Sequence, residues 1–506
     1  DSYKDVQTQI HCGGDTFNIT LQRGVKQGDP LPPFIFNAVL EPLLLELEKM
    51  PGYKISNESK LSCLAFADDL MLLANDVPQA QDLLSKTETF LRNLGMQLSV
   101  QKCATFRVVP TGDSYYIDEP AIVTSEGEGI PCARADSHLK YLGIKVSPWY
   151  GIDIRTLRQE IKDSLKRVKR LSLKPHQKLN LISQYLVPHY LFRIVHGVAP
   201  ITEIRGMDDD LRVGVKGILH LPMSTVNGLI YARKRDGGLG FPRLETIAAA
   251  SSLKSGLRFL NSPDPAIRAL ASDNGLEPRL RKLARSIRLE WPLPDMKTID
   301  RWKQRRKQQE LSNWGASRTQ GKAVGSLAND PIGNGWLYDP TLLKPCRFLT
   351  ALKMRTDMCP TKVAMNRAVP RQDLLCRKCK LLPETLAHVI GQCSYTKAER
   401  IRRHNEILKL VMDKVSQKDP CAVLVKEPSL TDRGEVLKPD LVVKTGGRVL
   451  VVDVTVRHED GNYLENGRQE KVNKYSRLLP QVKERFGASE GAVVPVVVGT
   501  RGACPN

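Results

Sequence analysis

Two adjacent aspartates, Asp68 and Asp69, stand at the centre of the apolar run LSCLAFADDLMLLAND, residues 61–76. Burying one carboxylate without a partner is costly, and a second beside it adds repulsion. The run is therefore confined to two solutions: the pair lies on an exposed turn, or it faces something positive. Its flanks read as a hairpin, with 61–67 as one strand, 70–74 as the next, and the aspartates as a two-residue turn. An Asp-Asp turn is a poor choice for stability, because Asn-Gly or Asp-Gly fits such a turn better. One reading is an acidic surface turn. The other is a carboxylate pair on a rigid tip, holding divalent metal for phosphoryl or nucleotidyl transfer. Two metals about 3.5–4 Å apart stabilise both the attacking and the leaving oxygen, and hard oxygen ligands suit Mg²⁺.

Composition narrows the class. The chain has 506 residues, enough for about three or four domains, and its 41% hydrophobic content excludes wholesale disorder. No apolar run approaches the roughly 20 residues of a membrane span, and no signal peptide opens the chain. No membrane partner is expected. A net charge of +21 points to a polyanionic partner, of which nucleic acid is the commonest. Eleven irregularly spaced cysteines suit a reducing compartment, with some as metal ligands rather than disulfides. A start at Asp1 rather than Met, and an end just after the apolar run VVPVVVG, read as a fragment cut at both ends.

Residues 1–146 alternate short apolar strands with helical runs, and 147–250 are helical and basic. In 157–171, Leu157, Ile161, Leu165, Val168 and Leu171 form one apolar stripe. Arg155, Arg158, Lys162, Lys166, Arg167, Lys169 and Arg170 face only Glu160 and Asp163, which reads as a phosphate-tracking surface or a solvated helix face. Residues 251–370 are polar and Arg-rich and read as an irregular basic linker. In 371–400, Cys376-x2-Cys379-x8-His388-x4-Cys393 offers three thiolates and an imidazole, the count and spacing of a closed, structural Zn²⁺ site.

A second carboxylate pair emerges from counting along LKPDLVVKTGGRVLVVDVTVRHE, residues 437–459. Gly446-Gly447 is a strong hairpin signal between β-branched runs. If those two form the turn, Thr445 pairs with Arg448, and the register carries Asp440 opposite Asp453. Like charges directly opposed destabilise a sheet, so the pair implies a metal or at least one raised pKa. A structural strand pair with a satisfied aspartate is the alternative. Downstream, RQEKVNKYSRLL, residues 468–479, places Lys471 and Lys474 on one helical face with Tyr475 adjacent.

These motifs carry a family resemblance. Phe66-Ala67-Asp68-Asp69-Leu70 resembles the signature of reverse transcriptase palms, and RGVKQGDPLPPFIFN, residues 23–37, resembles the segment lining their template and nucleotide pocket. There Gln27, Gly28, Asp29 and Pro30 give a sharp break before a helix, with the proline suited to its first turn. LGMQLSVQKCATF (94–106) and YLGIKV (141–146) resemble the next two palm motifs, in order, and Lys102 matches a lysine near the leaving pyrophosphate. A further metal-binding aspartate of such palms is not matched by Asp1, Asp5 or Asp15, so the expectation is that this fragment cannot polymerise alone. The segment at 437–475 resembles the core of restriction-like nucleases: a Pro-Asp, an acid on the next strand, then a lysine. The usual lysine position is Thr455 here; Lys471 or Lys474 is the expected substitute, for positioning water or stabilising phosphate.

Together with RDGGLGFPRL, residues 235–244, the order of these parts resembles the polyproteins of non-LTR retrotransposons of the R-two clade. The resemblance implies a multidomain α+β chain: a partial palm (1–146), a helical thumb (147–250), a basic linker (251–370), a zinc knuckle (371–400) and a restriction-like α/β endonuclease (401–506). It also implies an RNA-directed DNA polymerase and metal-dependent endonuclease, with Mg²⁺ at both centres. The nuclease would nick chromosomal DNA, in ribosomal RNA genes, and the freed 3′-hydroxyl would prime copying of element RNA from dNTPs. That activity belongs in the nucleus, at the nucleolus. A nucleic-acid-binding remnant with dead catalytic sites is the second reading. A group II intron-type maturase, the third, shares palm motifs but carries a different nuclease.

Overall fold

In the computed structural model, residues 7–20, 30–55, 59–370, 373–432 and 434–505 are described. They divide into two units, each with its own core: Asp1–Thr156 with Arg193–Ala199 and Ser251–Leu293, and the remainder from Leu157 to Asn506.

The first unit begins with the hairpin Gln7–Cys12 and Asp15–Thr20. Gly13 and Gly14 both have positive φ, which a tight two-residue hairpin turn requires. The helix Pro32–Lys49 follows, with prolines in its first turn. Pro30 therefore lies before the helix; Pro32, whose missing N–H costs nothing there, takes the role expected of it. The helix Val77–Asn93 starts where the Asp76 side chain accepts the Gln79 N–H at 2.9 Å. Leu40, Leu43 and Leu47 from the first helix and Leu83 from the second enclose Cys63, Leu70 and Leu72 of the hairpin Cys63–Phe66 and Asp69–Leu72.

That hairpin differs from the expected one. Its turn is Ala67-Asp68, with Phe66 paired to Asp69, so Asp69 opens the second strand. The register sets Cys63 against Leu72 and Ala65 against Leu70, bringing two leucines to the core. Burial outweighs turn chemistry, although Ala67 adopts φ +51°, a left-handed conformation costing about 1–2 kcal/mol. Leu61 is not in this hairpin but pairs with Tyr53. Gly52 is needed beside it, since a β-carbon there would lie 2.7 Å from the Leu61 carbonyl oxygen.

In the second unit the helix Leu157–Arg170 buries Leu157, Ile161, Leu165 and Val168. Leu171 falls beyond the helix end and is 43% exposed, so the stripe is one residue shorter than expected. The helix packs on Ile201–Ile218, where Gly214 leaves room for Leu165. Residues 251–370 are not irregular. They form helices, Leu276–Ser286 in the first unit and Met296–Gly315 and Pro345–Arg355 in the second.

The late-chain sheet has four strands in the order Val423–Lys426, Leu441–Thr445, Arg448–Arg457 and Glu490–Gly499. The turn at Gly446 and Gly447 sets Thr445 against Arg448 and Leu441 against Val452. The last strand runs parallel to its neighbour, so a crossover is required. The helices Tyr463–Ser476 and Leu479–Phe486 supply it. Both faces of the strand Arg448–Arg457 are covered. Val449 and Val451 pack with Tyr475, Leu478 and Val482, while Val452 and Val454 pack with Leu408 of the helix Lys397–Lys418. Pro495, opposite Asp453, is tolerated because its strand is at the edge. Among the described residues, no helix is long and apolar enough to cross a membrane.

The RDGGLG segment is an anchor for this unit. The Arg355 guanidinium, fully buried, donates to the carbonyl oxygens of Gly237 (3.0 Å) and Gly333 (2.6 Å) and to Asn334 Oδ1 (2.7 Å). It also stacks 4.8 Å from the centre of the Trp336 ring. Gly238 has no substitute, since a β-carbon there would lie 2.3 Å from the Ala232 carbonyl oxygen. Arg355→Met strands three acceptors, at least two of them main-chain oxygens in a dry interior. The expected cost is about 3 kcal/mol or more, read as a lowered denaturation midpoint by Trp336 fluorescence.

Candidate functional site

Asp68 and Asp69 sit at the tip of the first-unit hairpin, both exposed. A tip held by a leucine core presents acids rigidly to solvent, where carboxylates need no internal partner. Tyr141, half-buried nearby, has its hydroxyl pKa raised by burial and by the Asp69 charge. Lys102 lies on the separate exposed turn Val100–Lys102, and among the described residues no ion pair joins it to either aspartate. Gln27, Gly28 and Asp29 lie outside the described residues, and Pro30 is exposed.

The second acidic centre is built on the late-chain sheet. The ladder stops at Leu441–Val452, so Asp440 lies one residue beyond it rather than within it. Its Oδ2 accepts the Val454 N–H at 2.7 Å, taking over where the partner strand ends. His404, on the helix Lys397–Lys418, places Nε2 3.0 Å from the same oxygen. Asp453 is buried, 3% exposed, in mid-strand. Its Oδ1 has Lys471 Nζ at 2.7 Å, yet accepts no hydrogen bond of good geometry. A carboxylate oxygen left in that state fits a site for a further cation.

The structure separates the two candidate lysines. Lys471 reaches Asp453, whereas Lys474 lies 5.0 Å from the centre of the Tyr475 ring. Thr455 is buried facing Gly467 on the same crossover helix, so the ammonium arrives from the helix and not from the strand. Tyr475 is 1% exposed, and its hydroxyl pKa is raised by burial, then by Asp453 beside it, with Asp440 adding. Sequence reasoning placed Tyr475 next to the lysines but missed His404, which lies 36 residues from Asp440.

The four cluster residues come together. The ligand atoms of Cys376, Cys379, His388 and Cys393 all lie within 4.8 Å of one another. Cys379 Sγ is 3.1 Å from His388 Nε2, and the Cys376 and Cys393 sulfurs are 4.0 Å apart. A tetrahedral Zn²⁺ with bonds of about 2.3 Å sets its sulfur ligands about 3.8 Å apart, so the donor set and spacing fit such an ion. Lys380, at φ +58°, turns the chain just after Cys379, the second ligand, where its N–H reaches the Cys376 carbonyl oxygen. Glu384 supports the loop from below. Arg377 clamps its carboxylate, the Arg377 and Lys362 N–H groups donate to it, and these hold its pKa at about 2.

The basic helix is partly engaged in its own unit: Arg158 and Lys162 lie 2.6 and 3.7 Å from Asp210. Arg155 precedes the helix and pairs with buried Asp153.

Comparison with known proteins adds an independent line. The model of the family "Reverse transcriptase (RNA-dependent DNA polymerase)" matches residues 3–146. Across its whole length the chain is 30% identical to the "Retrovirus-related Pol polyprotein from type-1 retrotransposable element R2" of Popillia japonica, covering 69% of that protein. It is 29% identical, over 96% of its length, to the "Retrovirus-related Pol polyprotein from type-2 retrotransposable element R2DM" of Drosophila melanogaster, spanning 46% of it. A Nasonia vitripennis counterpart is 29% identical over 90% of the chain, which spans 42% of that relative.

The four-ligand cluster generates a direct test. Elemental analysis of the purified chain is expected to find one tightly bound metal ion per chain. Cys376→Ser should abolish it and expose residues 361–396 to protease, while Cys346→Ser, at an exposed cysteine outside the cluster, should change neither.

Proposed function

Because the chain belongs to the R2 family of retrotransposon Pol polyproteins, we propose that it carries one centre for copying element RNA into DNA, which without a match for the further palm aspartate is not expected to polymerise alone, and a second centre that nicks chromosomal DNA. The polymerase centre is the hairpin tip, with Asp68 and Asp69 as carboxylate ligands of Mg²⁺ and dNTPs as substrates. Gln27, Gly28, Asp29, Pro30 and Lys102 belong to its nucleotide and template side by resemblance alone.

The endonuclease is carried by one observation: a buried carboxylate, Asp453, with a lysine 2.7 Å away and a second carboxylate at the adjoining strand end. When bound there, Mg²⁺ supplies charge to the scissile phosphate and a more acidic water. Asp440 and Asp453 would hold the ion, the Oδ1 of Asp453 being left without a well-formed hydrogen bond. Lys471 neutralises Asp453 in the resting chain and faces the phosphate's negative charge when DNA enters. Its separation from Asp453 favours it over Lys474, which stays on Tyr475. Buried Tyr475 packs with Val449 and Val451 and fixes the helix that delivers the lysine.

The knuckle of Cys376, Cys379, His388 and Cys393 is proposed to hold a structural Zn²⁺, since four protein ligands leave no open position. The helical region 147–250 is proposed as a thumb, with the basic surface of the helix Leu157–Arg170 as a phosphate contact. Insertion into ribosomal RNA genes, and with it a nucleolar location, extends the family resemblance.

The test is nicking of supercoiled plasmid by the metal-loaded chain with Mg²⁺. Asp440→Ala and Asp453→Ala are expected to abolish nicking. Lys471→Ala should lower it by about 100-fold or more, and Lys474→Ala by no more than a few-fold. Folded, metal-loaded protein that fails to nick would replace this reading with the binding remnant.

A further inference from the structure

We infer that His404 is a positioning residue that fixes Asp440 for divalent-cation binding; the inference rests on the endonuclease reading and deepens it. Three observations carry it. First, His404 Nε2 lies 3.0 Å from Asp440 Oδ2 and 3.2 Å from the Val454 carbonyl oxygen. A carbonyl oxygen only accepts, so Nε2 carries the proton and donates to both. Second, Oδ2 of Asp440 is thereby saturated, holding the imidazole and the Val454 N–H. Among the described residues its Oδ1 takes part in no hydrogen bond. The imidazole thus ties down one oxygen and leaves the other for a cation, the usual division of labour when a hydrogen-bonded carboxylate ligates metal.

Third, His404 occupies an apolar position. Leu408, Val411 and Val415 continue its stripe along the helix Lys397–Lys418 and pack with Leu441, Val443, Val452 and Val454. Packing alone would be served by a leucine at this site. The donor instead meets the two oxygens at the end of the stripe, and both belong to the segment bearing the carboxylate pair. Among the described residues His404 Nδ1 faces only the neighbouring Asn405 Oδ1 at 3.4 Å, so the ring's firm bonds are those of Nε2.

The test measures Mn²⁺ binding by electron paramagnetic resonance. It uses the full chain, knuckle metal loaded, in a background of Asp68→Asn and Asp69→Asn that silences the hairpin tip. Asp440→Asn and Asp453→Asn are run first. If Mn²⁺ binding depends on neither, and the chain does not nick, the endonuclease reading itself has failed. If it depends on both, His404→Leu, which completes the apolar stripe and keeps the fold, is expected to weaken Mn²⁺ binding about 10- to 100-fold. Nicking by that variant should recover at saturating Mn²⁺ to within a few-fold. His404→Gln, which keeps an N–H donor, should restore most of the affinity. Unchanged or tighter Mn²⁺ binding in His404→Leu overturns the inference, tighter binding meaning that the imidazole competes with the cation. Equal losses in the Leu and Gln variants overturn it too, since ring shape rather than the donor would then be what matters.

Discussion

A carboxylate in the middle of a strand covered on both faces is the constraint from which the late-chain sheet is organised. Asp453 is flanked by Val451, Val452 and Val454, with helices packed over either side. Left alone there, its charge costs several kcal/mol. The crossover helix Tyr463–Ser476 brings Lys471 to it, and that delivery fixes how the helix must sit. Tyr475, four residues on, then falls into the core with Leu478 and Val482. The parallel last strand follows from the same crossover, since a connection long enough to carry the lysine returns on the sheet's open side.

What was legible in the sequence depended on whether local chemistry decided the outcome. Gly446 and Gly447 have few rivals as a two-residue turn, so the register down to Leu441 and Val452 followed from counting. Asp440, one residue further, left the ladder because its side chain found the Val454 N–H. At the other hairpin, turn chemistry and burial disagreed, and burial decided. The stretch 251–370 misled because its longest helix, Met296–Gly315, carries charge on most faces and because parts of it are held by particular anchors. Arg355, Asn334 and the RDGGLG turn form one such anchor, and no apolar periodicity announces it. His404 left a signal that counting would have caught: a histidine three and four residues before Ile407 and Leu408, in line with an apolar stripe.

The three candidate centres handle charge in three ways. At the hairpin tip the aspartates are solvated, so the first unit pays no burial penalty for them. On the sheet each carboxylate has an internal partner, Lys471 for Asp453 and His404 with the Val454 N–H for Asp440. Both arrangements are compatible with a stable metal-free fold. The Cys/His cluster is different. Its ligand atoms crowd within 4.8 Å of one another, and His388 Nδ1 is buried without a partner among the described residues. With the proposed Zn²⁺ bound, this cluster is the one of the three that would tie folding most directly to metal.

The knuckle is joined to the sheet through covalent continuity. Cys393 is followed at once by the turn Ser394–Thr396 and the helix Lys397–Lys418. In the helix's first turn Arg400 donates back to the carbonyl oxygens of Gly391 and Cys393, locking the helix start to the knuckle. His404 is one turn further on. A helix anchored at one end by the knuckle and along its length by Leu408, Val411 and Val415 has little freedom to rotate. The imidazole is therefore held against Asp440 by two independent constraints, one through the knuckle and one apolar. Loosening the knuckle would act on the helix's first turns, where His404 lies, before it disturbed the apolar contact further along.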